Sequence, residues 1–204
     1  MNKITQGMMA AIVAGCFMGN VAQADNHTVS IGYAQSKVQD FKNIRGVNVQ
    51  YRYEWDSPIS VLGSFSYMKG DKSWSFTDYA DDYYHQKIDV KSYSLLAGPA
   101  YRINDIVNLY GLLGLSHTKA KGDYQWVNSV GGNTATGHEE GHVSKNSTNF
   151  AYGAGVIINP MENIAVNIGY EGTQADMDGH KSMNGFNISV GYRFLGDSAK
   201  NPYS

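Results

Sequence analysis

Apolar and polar residues alternate one by one over residues 186–194, Phe-Asn-Ile-Ser-Val-Gly-Tyr-Arg-Phe. Phe186, Ile188, Val190, Tyr192 and Phe194 therefore share one face of a strand, and Asn187, Ser189, Gly191 and Arg193 share the other. Seven further segments repeat the pattern. Their apolar sets are Val29, Ile31 and Tyr33; then Val47, Val49, Tyr51, Tyr53 and Trp55; then Ile59, Val61, Phe65 and Tyr67. Tyr93, Leu95, Ala97, Pro99 and Tyr101 follow, then Val107, Leu109, Leu113 and Leu115. Phe150, Tyr152, Ala154, Val156 and Ile158 precede the seventh set, Ile164, Val166, Ile168 and Tyr170. The fifth segment breaks the rule, because Tyr110 and Leu112 fall on its polar face. Each segment is about nine to eleven residues, the length a tilted strand needs to cross hydrocarbon.

Short and long connections alternate between these segments, and that order predicts the topology. Residues 56–58, 103–105 and 160–163 read as tight turns, whereas 35–45, 69–87, 119–147 and 173–183 read as long polar loops. An outer-membrane barrel keeps short turns on its periplasmic side and long loops outside, so both termini are expected in the periplasm. An open sheet edge in lipid would leave backbone groups unpaired at several kcal/mol each. The expectation is an all-β fold, an eight-stranded antiparallel transmembrane β-barrel with four extracellular loops.

Eight strands enclose a space that side chains can fill, not a water channel. The inward positions carry Gln50, Arg52, Glu54, Arg102, Asn167, Glu171 and Arg193 beside small Gly98, Gly153, Gly155, Gly169 and Gly191. Buried charges persist when paired and hydrogen-bonded. A polar interior is expected in which arginines and glutamates satisfy one another, with Glu54 the nearest acid to Arg52, Arg102 and Arg193. Tyr51, Tyr53, Trp55, Tyr101, Tyr192 and Phe194 should form one aromatic belt. Tyr33, Tyr67, Tyr93, Phe150, Tyr152 and Tyr170 should form the other, at the opposite headgroup level.

Composition agrees with strands and turns: 23 glycines, 15 tyrosines and 4 prolines in 204 residues. The start of the chain reads as a secretory leader over 1–24, with Lys3, an apolar run over 8–21 and Ala22-Gln23-Ala24 as the cleavage site at Ala22 and Ala24. Val13-Ala14-Gly15-Cys16 loosely resembles a lipoprotein acylation site, but the apolar run continues past Cys16 to the conventional site. Cleavage there takes away Cys16, the single cysteine, and Lys3, moving the formal charge from −2 to −3. That balance gives no reason to expect a nucleic-acid partner. The barrel is expected over 25–194 and a flexible periplasmic tail over 195–204.

Several stretches resemble the Ail, OmpX, PagC and Lom family of outer-membrane proteins. They are Gly46-Val47-Asn48-Val49-Gln50-Tyr51-Arg52-Tyr53-Glu54, Ala97-Gly98-Pro99-Ala100-Tyr101-Arg102-Ile103-Asn104-Asp105, Ile158-Asn159-Pro160, Tyr170-Glu171-Gly172 and the closing 185–194. OmpX-type barrels are themselves examples behind the size rule used above. The resemblance implies a barrel whose loops act in host-cell attachment or invasion, or in resistance to complement. It also implies assembly through the outer-membrane assembly machinery, which reads a terminal phenylalanine. Members usually stop at that residue, here Phe194, whereas this chain continues to Ser204.

Two loop features carry candidate chemistry. His138-Glu139-Glu140-Gly141-His142 matches the spacing of zinc proteases, yet that chemistry needs a helix, and the glycine-rich surroundings 131–137 predict an exposed flexible loop without catalytic metal. Trp74, Phe76, Tyr79, Tyr83 and Tyr84 interleave with Asp78, Asp81, Asp82 and His85. Such aromatics could extend the third and fourth strands as a ribbon and contact a protein partner, with Lys69 and Lys72 beside them; the acids could hold a divalent cation bridging lipopolysaccharide phosphates. Lys37, Lys42, Arg45, Lys119 and Lys121 also lie near the outer rim, within reach of anionic headgroups or sulfated glycans.

The function expected from this reading is a monomeric, non-enzymatic barrel without cofactors, in contact with lipopolysaccharide and presenting loops to host matrix or serum proteins. The alternatives are an envelope-integrity barrel with no specific ligand, a lipid-modifying enzyme, or a small channel. A polar, filled interior argues against the last two.

Overall fold

A computed structural model of the chain describes residues 25–39, 43–77, 83–129, 135–176 and 180–196. Eight strands follow one another: β1 (Asn26–Val38), β2 (Asn43–Glu54), β3 (Ile59–Thr77), β4 (Tyr83–Arg102), β5 (Val107–Ser129), β6 (Ala135–Met161), β7 (Ile164–Asp176) and β8 (His180–Phe194). Neighbours pair antiparallel, and β1 also pairs with β8, so the sheet closes on itself. The alternating apolar residues face outward. Ile31 is 65 % exposed and Leu113 62 %, and a wall paved with such residues on every side is stable against lipid, not water. Pro99 lies in the β4–β5 seam, where the ladder runs from Ala97↔Leu113 to Ala100↔Tyr110; proline has no N–H to give there.

The four middle strands depart from the sequence expectation. Stretches 69–87 and 119–147, read as long polar loops, are mostly strand: β3 and β4 stay paired to Thr77↔Tyr83, the ribbon extension considered for the third and fourth strands, and β4 and β5 stay paired to Tyr83↔Val127, β5 and β6 to Ser129↔Ala135. By contrast, the β2–β3 ladder stops at Arg45↔Lys69 and the β6–β7 ladder at Ala151↔Thr173. Strands β3–β6 therefore rise past the barrel as a four-stranded sheet of their own. Backbone hydrogen bonds zip an antiparallel pair whatever its side chains. Once both faces leave the lipid, the oily–polar alternation that marks a wall strand has no cause to persist.

The interior is layered, and this corrects the expectation of a polar lumen. At the end carrying the chain termini sits an ionic cluster around Glu54. Above it Leu62, Leu96, Ala100, Tyr110, Leu112, Ala151, Ile157 and Ala165 form a buried apolar cluster. A polar tier around Glu171 follows, and a second apolar cluster of Ala34, Val38, Ile44, Met68, Val90 and Met183 closes the far end. Apolar tiers fill volume without asking for hydrogen-bond partners, which charged side chains always do. Glycine makes room where a large ring crosses the lumen: a β-carbon on Gly169 would lie 2.1 Å from Tyr110 Oη.

Candidate functional site

Arg52, Arg102 and Arg193 converge on one carboxylate. Arg52 Nη2 donates to Glu54 Oε1 at 2.8 Å, Arg102 Nη2 to the same oxygen at 3.2 Å, and Arg193 binds through Nε to Oε2 at 2.8 Å and through Nη2 to Oε1 at 3.2 Å. Arg52 also donates to Ser60 Oγ at 2.9 Å and Asn108 Oδ1 at 2.8 Å. Burial is graded: Arg52 2 %, Arg193 14 % and Arg102 34 % exposed, around Glu54 at 1 %. Arg52 and Glu54 at alternate positions of β2, plus single arginines from β4 and β8, come together because all reach inward at one barrel level.

Glu171 lies at another level and does not share this cluster. Its oxygens accept from Ser66 at 3.1 and 3.2 Å, Ser94 at 3.0 Å, Ser64 at 3.4 Å and Asn187 at 3.3 Å. The reason is level: Asn48, six residues up β2 from Glu54, bonds the same Ser64 and Ser66. A chain of amides links the two halves of the lumen, from Tyr110 Oη to Asn167 Oδ1 at 3.0 Å, Asn167 to Gln50, and Gln50 to Asn187 at 3.5 Å. A void of about 20 Å³ borders Glu171, room for one water. The interior is thus a scaffold packed with side chains. Polarity is not what fills the lumen against an acyl chain: its apolar tier is occupied by Leu62, Leu96 and Leu112, each at most 2 % exposed.

The remaining candidate residues lie at the far end. The register sets Arg45 beside Lys69, Lys69 beside Lys91, and Lys91 beside Lys119. All four share the outward parity of the lipid-facing residues, forming one cationic row across β2–β5. Immediately below runs Val47, Tyr67, Tyr93 and His117 at the next outward level, with the rings of Tyr67 and Tyr93 5.0 Å apart. Like charges set directly opposite one another in a sheet repel, so such a row is suited to anions at the headgroup level. Asp71 and Asp89 face each other two residues higher. Lys91 was missed in the sequence, although it precedes Tyr93 at the spacing that Lys69 and Lys119 keep from Tyr67 and His117.

Above the row the protruding sheet carries Trp74, 41 % exposed, with Lys72 Nζ 4.5 Å from the centre of its ring, a cation–π distance. The backbone of Phe76 pairs with Tyr84 and that of Trp74 with Gln86. The segment 138–142 is not a loop, as expected, but part of β6, with His138 opposite Val127 and His142 opposite Asp123. In a strand, residues four apart lie about 13 Å from each other along the chain instead of about 6 Å on a helix, so the paired-histidine geometry of a zinc protease is not built. His142 Nδ1 instead meets Asp123 Oδ1 at 2.5 Å, and no group of three metal-binding side chains occurs among the described residues. Tyr79, Asp78, Asp81 and Asp82, the leader with Ala22 and Ala24, Lys42, and residues 197–204 lie outside the described residues.

Two bands of rings mark the wall: His27–Tyr53 at 5.2 Å, Tyr53–Trp55 at 5.8 Å and Tyr192–Phe194 at 4.8 Å at one end, Tyr67–Tyr93, Tyr33–Phe186 at 6.4 Å and Tyr152–Tyr170 at 6.5 Å at the other. A closed, side-chain-filled barrel with an oily wall, two aromatic bands and a sheet standing on one rim defines a small outer-membrane β-barrel of Gram-negative bacteria. The Enterobacterial Ail/Lom protein family matches residues 1–194, and the chain belongs to that family. It is 47 % identical over 184 residues to the virulence membrane protein PagC of Salmonella typhimurium, covering 90 % of this chain and 95 % of that protein. It is 37 % identical over 180 residues to the attachment invasion locus protein of Yersinia pseudotuberculosis, covering 86 % and 88 %. Among solved structures, Ail of Yersinia pestis in complex with the heparin analogue sucrose octasulfate superposes with a TM-score of 0.61 at 35 % identity, covering 84 % of this chain and 100 % of that one.

Proposed function

We propose that this protein is an attachment or serum-resistance barrel: it holds the termini in the periplasm and presents the β3–β6 sheet to host matrix or serum proteins. The observation that carries the reading is that these four strands outrun the barrel while the other four stop at the rim. A ribbon bearing Trp74 and Phe76 over a plugged scaffold has its outside surface as its functional surface. Support comes from the Yersinia relative named for attachment and invasion and from the Ail structure holding a heparin analogue. Truncating an aromatic at a binding hot spot costs at least about 2 kcal/mol. Trp74→Ser with Phe76→Ser should therefore lower binding of cells to the displayed protein by more than about tenfold, with heat-resistant barrel mobility on gels retained. Unchanged binding would refute the assignment.

A second reading, an envelope-integrity role, is favoured by one observation: the Arg45–Lys69–Lys91–Lys119 row stands directly above the aromatic band, where lipopolysaccharide phosphates lie in the outer leaflet. The two readings are compatible in one monomer, since the row faces outward at the wall and the sheet rises beyond it.

A further inference from the structure

We propose that the polar tier around Glu171 is a binding site for one dehydrated alkali cation of sodium size, held by the carboxylate together with the hydroxyls of Ser92, Ser94 and Ser116. The side chains that hydrogen-bond this carboxylate are Ser64, Ser66, Ser94 and Asn187, and all of them are neutral. No cationic side chain among the described residues pairs with it. The direction of the bonds shows which form of Glu171 the tier suits: Asn48 Nδ2 donates to Ser64 Oγ at 2.8 Å and to Ser66 Oγ at 2.9 Å, so the single O–H of each serine is left to point at the carboxylate. That arrangement serves an ionised acid. A charge held out of water in this way calls for an opposite charge beside it. A second oxygen of the tier lacks a donor as well, because Asn48, 0 % exposed, has its Oδ1 without a partner.

The void of about 20 Å³ beside Glu171 gives the cation its place, bordered by Ser92, Ser94 and Ser116. These three serines are buried, and their hydroxyls are only weakly engaged. Ser92 Oγ lies 3.3 Å from both Ser116 Oγ and Thr118 Oγ1, well beyond the roughly 2.7–2.8 Å usual for O–H···O bonds. Their lone pairs can therefore turn into the void. Size and charge select the class of ion, since the space admits one particle of water size and magnesium binds with several of its waters retained. One carboxylate balances one positive charge, whereas a divalent ion would leave the tier cationic. Hydroxyl and carboxylate oxygens suit a hard cation. Bound there, it ties Glu171 of β7 to Ser92 and Ser94 of β4 and Ser116 of β5, beneath the Met68 and Met183 side of the apolar plug. Strands β4 and β5 are two of the four that carry the protruding sheet.

The test is urea unfolding of the full chain refolded into phosphatidylcholine vesicles, with sodium chloride exchanged stepwise for choline chloride at constant ionic strength. Choline has the same charge and is too large for the void. An ion that binds the folded state alone multiplies the folding equilibrium constant by one plus its concentration over its dissociation constant, so at least about a fivefold rise is expected between sodium-free buffer and about 150 mM sodium. Glu171→Gln keeps the shape, removes the charge and should flatten that response. Sodium-23 relaxation should be enhanced by the folded wild-type chain and not by the variant. A wild-type constant that ignores the exchange, or an equal sodium response from folded Glu171→Gln, overturns the proposal. Should that variant fail to fold, Ser116→Ala removes one ligand and no charge. It should raise several-fold the sodium needed for half the effect, and an unshifted requirement refutes the site.

Discussion

Replacing Glu54 with glutamine should destabilise the barrel more than any substitution of its individual partners. Three guanidinium groups lie on this carboxylate, and Arg52, 2 % exposed, cannot turn to water. Glutamine keeps the volume and one acceptor oxygen but removes the only counter-charge the group has among the described residues. Breaking a buried pair by removing one partner costs about 3–5 kcal/mol, because the remaining charge stays desolvated. The upper part of that range is expected for E54Q, since Arg52 Nη1 is already without a partner and the cluster carries an excess of cation. Arg102→Gln removes a group that is one-third exposed, and solvent screening limits its cost to about 1 kcal/mol. The assay is equilibrium urea unfolding of the full chain refolded into lipid vesicles. An E54Q loss below 1 kcal/mol, or one equal to that of Arg102→Gln, would refute the view that this carboxylate holds the cluster.

Three further outcomes follow from the same geometry. Gly169→Ala pushes a methyl into Tyr110 Oη and should cost about 1–3 kcal/mol by overpacking, with Tyr110→Phe in the same chain restoring a measurable part; additive losses in the double-mutant cycle would contradict the contact. Lys69→Gln, Lys91→Gln and Lys119→Gln together should reduce lipopolysaccharide co-purifying with the barrel, and raised salt should act alike on the wild type; unchanged retention would remove the row from the lipid contact. Deleting residues 195–204 should leave surface display intact or raise it, and loss of display would show that the tail takes part in assembly, in which Gly196 N already donates to Asn26 Oδ1 at 3.1 Å.

Wall strands were legible because lipid imposes strict alternation, and β8 shows it over nine residues without a break. The apolar tier was less so: alternation puts Leu112 inward and Leu113 outward, but does not tell that Leu62, Leu96 and Leu112 meet at one level as a cluster. The serine and asparagine partners of Glu171 could not be read either, because which inward positions share a level depends on strand stagger and not on residue type. The protruding sheet was hidden for a different reason: stretches such as 119–147 are polar on both faces, and nothing in such a stretch distinguishes a paired ribbon from a loop. Lys91 illustrates the limit for the rim, since a cross-strand row appears only once the register is known.

Removal of the protruding sheet tests the account most directly. Joining Gly70 to Val90 and Ala120 to Lys145, which face each other across their ladders, through short turns leaves the barrel below the rim intact. The trimmed chain should still refold into vesicles and resist unfolding until heated, yet bind host cells no better than empty vesicles. Binding equal to that of the full chain would place the functional surface elsewhere and contradict the account.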